Sequence, residues 1–288
     1  MTETNTSGII TAAADIIAGA FNALPKRVCN QHKFSDYADY LHENLPAQAE
    51  LDLQREKPLN PAPLVSVAIA CSGASRAAVR STLEALGKQT YANFEVCLVS
   101  ELAQAGLTDY EGIPKFRLVL FNGTAHEQLK AAEKMLNGAY FLQLLPGDLP
   151  APDALHMLVL QTHANPEAEV VFADEDSVID GIRQNPIFKP DYGRDTLRSF
   201  NSIGRPMLVS KRVHTAVGGF RGSTPAELWA YCIDCASAAK QVIHIARIGL
   251  TVIRSCDGSE IPCTDILKRE FNSLYPGDGS GKKNRTNG

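Results

Sequence analysis

The sequence predicts an α/β protein with a mostly parallel central sheet flanked by helices and an N-terminal helical extension. Three observations carry this. Short, valine-rich apolar runs recur between residues 64 and 172, and such runs belong to strands buried on both faces. Segments with apolar residues at helical spacing separate them, and that alternation builds a parallel sheet covered by helices. At 288 residues the chain is long enough for one large domain plus an extension.

Residues 1–60 read as the extension and its linker. Ile9, Ile10, Ala13, Ile16, Ile17, Phe21 and Leu24 predict an amphipathic helix over 9–24. Its apolar face packs on the main domain or a second subunit, as a homo-oligomer or with a partner protein. Alternatively it lies on a membrane surface, although its polar face lacks the basic residues that hold such helices to lipid. A more polar stretch follows from Phe34 to Glu56, and Pro58, Pro61 and Pro63 mark a linker.

The main domain is expected over residues 61–270. Strands are predicted at 64–71, 94–99, 116–121, 140–145 and 169–172, with a further half-buried one at 242–245. Helices are predicted at 76–88, 127–136, 153–163 and 228–239. Ligands of such sheets bind at the carboxyl ends of the strands, so chemistry belongs in the loops after Ala70, Val99, Leu145 and Ala173. Residues 271–288, rich in Gly, Lys, Asn and Ser, read as a disordered tail.

Composition narrows the function. A formal net charge of −4 and only a short basic pair, Lys211–Arg212, give nucleic acid no basic face to hold. No run is long and apolar enough for a membrane span, and residues 1–7 lack a signal peptide's positive start. A cytoplasmic protein is expected, peripheral at the inner membrane face if helix 9–24 meets lipid. The seven cysteines form no disulfide framework. Cys232 and Cys235 share one face of a helix, and Cys256 and Cys263 are too widely spaced to complete a zinc site with them, so these are read as buried apolar cysteines.

A series of motifs is more specific. Pro63–Ile69 is similar to the opening strand of the family-2 glycosyltransferases, and Ser81–Val96, with its Gln89–Thr90–Tyr91 turn, to their next helix and strand. Asn137–Phe141 resembles the glycine-led start of the family's metal-site strand. Asp148 with Pro152–Leu155 matches the stretch just after that site. Phe172–Asp176 and Pro186–Asp191 resemble a subgroup that works on cell-surface polysaccharides, and Gly218–Arg221 the family's Gly-Gly-Phe turn. Each motif alone is weak; their order and spacing over roughly residues 61–255 are not. The resemblance implies a GT-A (Rossmann-like) fold. The absence of GxGxxG or GxxxxGK[ST] disfavours other nucleotide-binding α/β folds.

The resemblance also implies a site. A nucleotide-sugar donor lies across the strand ends, Mn or Mg on a DxD motif neutralises its diphosphate, and a carboxylate takes the proton of a glycan acceptor as the anomeric centre inverts. Glu101 falls loosely at the nucleoside position. Leu145–Pro146–Gly147–Asp148 stands where DxD is expected, and only Asp148 can ligate a metal. Glu227 is the one acid near the position of the base. Asp174, Glu175 and Asp176 are expected at a strand end facing the acceptor or metal, or else as a solvated or helix-capping cluster. Lys189 meets a phosphate or pairs with one of those acids; His244 and Arg254 are packed or solvated. The substitutions make metal-dependent donor binding weak or absent, with Lys189 or Arg221 as substitute cations. Two functions follow: an inverting transferase with an altered metal site, or a non-catalytic relative acting as a binding or assembly partner.

Overall fold

The computed structural model describes residues 37–101, 113 and 115–254. The expected helix at 9–24, Cys256, Cys263 and the tail at 271–288 lie outside them. The chain builds a nine-stranded sheet in the order β3-β2-β1-β4-β8-β6-β9-β5, with β7 paired to β6. The strands are β1 (Val65–Ala70), β2 (Phe94–Ser100), β3 (Phe116–Leu120), β4 (Tyr140–Leu144), β5 (Asp148–Pro150), β6 (Ala168–Ile179), β7 (Ile182–Ile187), β8 (Met207–Ser210) and β9 (Gln241–Ile253). Strands β1, β2, β3, β4, β6 and β9 run one way, while β5, β7 and β8 run against them. The sheet is therefore mostly parallel.

The period of two explains why β1 belongs in the middle. Val65, Val67 and Ile69 enter one apolar core with Leu83, Leu86, Leu142, Leu144 and Leu155. Ala68 and Ala70 enter the other with Leu129, Phe141, Phe172, Phe220 and Trp229. A strand that feeds two cores needs apolar residues on both faces, which is why it reads as a continuous run.

Helices cover both faces. They are α1 (Tyr37–Asn44), α2 (Gln48–Glu56), α3 (Arg76–Leu86), α4 (Ala125–Glu133), α5 (Ala154–Ala164), α6 (Arg194–Ser199), α7 (Lys211–Ala216) and α8 (Pro225–Ala238). Side chains set several starts. Ser75 accepts from Ala78 N on α3, and Thr124 with Glu127 and Thr224 with Glu227 form capping boxes on α4 and α8. Helix α8 buries Cys232 and Cys235 and locks onto α6 through Trp229 Nε1, which donates to Leu197 O at 2.6 Å. The Gly218–Gly219 turn is left-handed at both residues (φ 81° and 84°), and it delivers Phe220 into the core at 1% exposure.

Several elements run beyond or outside the sequence expectation, among them the short β5, α6 and α7. β6 does not stop at Phe172 but continues through the three acids to Ile179, and β9 extends to Ile253. β7 is polar, and the apolar run of β8, Met207–Val209, is too short to announce a strand. The polar stretch before the linker forms two helices, α1 and α2. They dock on the main domain: Tyr37 OH donates to Asp176 at 2.6 Å, and Thr90 Oγ1 donates to Gln54 at 2.6 Å. No helix among the described residues is long and apolar enough to cross a membrane.

Candidate functional site

The carboxyl ends of β1, β2 and β4 lie side by side. The loop after β1 is tied down by Gln128, whose Oε1 accepts from Cys71 N and Ser72 N, both at 2.9 Å. Glu101 follows β2 directly. Asp148 closes a tight turn after β4 and is 1% exposed. Its Oδ2 accepts from Leu145 N at 2.8 Å.

The decisive partner of Asp148 is Arg205. Nε donates to Oδ2 at 2.8 Å and Nη2 to Oδ1 at 3.0 Å, a bidentate charge-assisted pair. The sheet register explains how it arrives there. β8 is antiparallel to β4 with Leu208 opposite Leu142, so the chain before β8 climbs back to the level of Leu145. Although burial works against the charged form, Asp148 and then Glu175 hold the guanidinium firmly protonated.

Behind Arg205 stands a second pair. Lys189 Nζ donates to Arg205 O at 2.7 Å, to Ala173 O at 2.6 Å and to Glu175 Oε2 at 3.3 Å. An ammonium has three protons, and all three are spent. Burial pulls Lys189 below the usual lysine range, against the opposing pull of Glu175 and Asp174. Burial alone would raise Glu175, but the charges of Lys189 and Arg205 outweigh it and hold the carboxyl below its ordinary range. Glu175 Oε2 also accepts from Arg205 N at 3.3 Å.

The three acids thus lie inside a strand, not at its end, and each takes different partners. Asp174 accepts from Lys189 N at 2.9 Å and meets His244 Nε2 at 2.8 Å; His244 stacks on Phe172. Asp176 is held by Arg183 Nε at 2.8 Å and by Tyr37. Burial and this contact with Asp176 raise the Tyr37 hydroxyl well above its ordinary range. Of the expected site residues, Asp148, Glu175 and Lys189 come together through Arg205, and Asp174 borders them. Glu101 lies beyond β1 and Asp176 under α1. Glu227 sits in the α8 capping box, where Oε2 accepts from Ser223 N, Thr224 N and Thr224 Oγ1 at 3.1, 3.0 and 2.9 Å. Lys189 pairs with an acid and leaves no proton for a phosphate. Arg221 is ion-paired with Asp234, and Arg254 donates to Ser177 Oγ at 2.8 Å.

The fold has counterparts among solved structures. The S. aureus TarS fragment 1–349 in complex with UDP-GlcNAc superposes with a TM-score of 0.54 at 14% identity, over 66% of this chain and 58% of that one. The mannosyltransferase PcManGT from Pyrobaculum calidifontis, in complex with GDP-Man and Mn2+, gives 0.51 at 15% identity, over 79% and 70%.

The chain has the GT-A glycosyltransferase fold.

No family model matches the sequence. Among curated relatives, the GT-A chain is 31% identical over 199 residues to an uncharacterized protein, y4gI, of Sinorhizobium fredii (strain NBRC 101917 / NGR234), covering 65% of this chain and 22% of that protein. It is 26% identical over 196 residues to the O-antigen biosynthesis protein RfbC of Myxococcus xanthus, covering 65% and 15%. The chain matches no more than about a fifth of the length of these relatives. Sequence reasoning missed Arg205 because its importance depends on β8, which carries no periodic signal. The resemblance drew attention to Asp148, but only the register reveals what faces it.

Proposed function

We propose that this chain is a glycosyltransferase-like module of polysaccharide biosynthesis, similar to the family-2 enzymes, that binds a nucleotide sugar across the carboxyl ends of β1, β2 and β4. One observation carries the reading: those three strand ends lie side by side in a fold shared with a chain solved with UDP-GlcNAc. The relation to an O-antigen biosynthesis protein supports the polysaccharide context.

In the transfer reading, Glu101 borders the nucleoside, Asp148 and Arg205 border the diphosphate, and Asp174–Asp176 stiffen the acceptor side. Glu227 takes the acceptor proton in a single inverting displacement. A second reading, a non-catalytic binding or assembly partner, is favoured by the capping role of Glu227, whose Oε2 is committed to three donors. Glutamine also serves a capping box, so Glu227→Gln separates cap from base. Nucleotide release from UDP-GlcNAc and GDP-Man should be followed for wild type and this variant. Transfer through Glu227 predicts a loss of about 10²-fold or more with an unchanged melting curve. Donor binding without any release by wild type selects the second reading.

A further inference from the structure

A divalent ion such as the Mn2+ bound by PcManGT does not fit the residues present here. A hard divalent cation needs several oxygen ligands in one place. Leu145, Pro146 and Gly147 supply no side-chain oxygen, and both oxygens of Asp148 are engaged by Arg205. Among the described residues no group of three or more His, Cys, Asp or Glu is placed to hold a metal ion.

We propose that Arg205 takes the place of the divalent cation: its guanidinium, fixed on Asp148, is the positive group that meets the diphosphate of a nucleotide sugar, so donor binding needs no metal. This rests on the nucleotide-sugar reading above. The charge balance is equivalent. A divalent ion between two carboxylates is locally neutral, and so is one guanidinium on one carboxylate. Arg205 also has capacity left. Two of its five N–H donors bind Asp148, and the side chain is 18% exposed, against 1% for Asp148. The remaining edge is a planar fork suited to phosphate oxygens.

The group is also held in advance. Its carbonyl is clamped by Lys189, its N–H by Glu175 and its guanidinium by Asp148. A cation with a fixed backbone and a fixed head loses little freedom when an anion arrives. Lys189 and Glu175 are therefore positioning residues, acting on the diphosphate only through Arg205. The other candidate cations are committed elsewhere, Lys189 by its three bonds and Arg221 by Asp234.

Calorimetric titration of the full chain with UDP, UMP, uridine, GDP, UDP-GlcNAc and GDP-Man, in EDTA and in manganese, tests this. For wild type, nucleoside diphosphate affinity should agree within about threefold between the two conditions. Arg205→Gln should weaken the diphosphates about tenfold or more while leaving uridine unchanged. A merely structural arginine would weaken all of them together. If Arg205→Gln does not fold, Asp148→Asn with Arg205→Gln removes both charges of the buried pair and carries the comparison. Diphosphate binding that requires manganese and vanishes in EDTA overturns the proposal while leaving the nucleotide-sugar reading intact. So does diphosphate binding in EDTA that is indifferent to Arg205→Gln. Wild type that binds none of these ligands in either condition overturns both.

Discussion

Glu175 keeps its charge in a place where a carboxylate would ordinarily lose it. Its side chain is 15% exposed, and only Lys189 and the Arg205 segment make ionisation favourable there. Because its folded pKa is lowered, the stability it contributes is present above the unfolded value of about 4.3 and is lost as pH falls through the folded value. Burial raises Glu95 and the half-buried Glu133, but Asn137 N, Ser66 and Arg117 on the first, and His214, Phe220 N and Lys130 on the second, outweigh it and lower both. Urea unfolding should therefore give markedly lower stability near pH 3.5 than at pH 6. Glu175→Gln should be less stable at pH 6 by about 3–5 kcal/mol, since it strands the Lys189 charge. Its stability should also fall less on acidification. An undiminished acid response in that variant would remove Glu175 from the account. At this scale the sequence was half legible. The acids Asp174–Asp176 stood out through the family resemblance, and an ion pair between Lys189 and one of them was one of its two readings. Which acid met which base was not legible, since that depends on the pairing of β6 with β8 and β9.

The elements divide along the same line. β1, β2 and β4 were readable because burial on both faces leaves only apolar side chains to choose from, and α3 begins at Arg76 as expected, but the Thr124 and Thr224 caps went unread, so α4 and α8 start before the expected 127 and 228. β6 was cut short because three consecutive acids look like a strand end; ion pairs inside the sheet let the strand continue. A signal for β7 was present and unread: Asp180–Gly181 joins Ile179 to Ile182 as a two-residue hairpin turn, with φ of 51° and 76°. Helix α1 deserves a role of its own. It lays Tyr37 on Asp176, stacks Tyr40 beneath it and packs Tyr40 edge-on to Phe188, so it buckles the extension to the β6–β7 hairpin. Tyr37→Phe removes one donor to a buried carboxylate and should cost about 1–2 kcal/mol in urea unfolding. A change near zero would mean that the Tyr37–Asp176 hydrogen bond does not contribute to the folded domain's stability.

For the whole molecule, the topology decides what the side chains leave open. Strands β3-β2-β1-β4 form a parallel half, while β8, β6 and β9 form a mixed half whose polar groups are paired internally through Arg205, Lys189, Glu175, Asp174 and His244. In the proposed reading the parallel half meets the ligand and the mixed half supports it, with Arg205 paired to Asp148 between them. Hydrogen exchange with and without UDP-GlcNAc or GDP-Man tests this division most directly. The account predicts slower exchange on binding in the loops after β1, β2 and β4, at residues 71–75, 100–101 and 145–148, with the β6–β7 hairpin unchanged. Protection confined to the hairpin and α1, with those three loops unaffected, would contradict it.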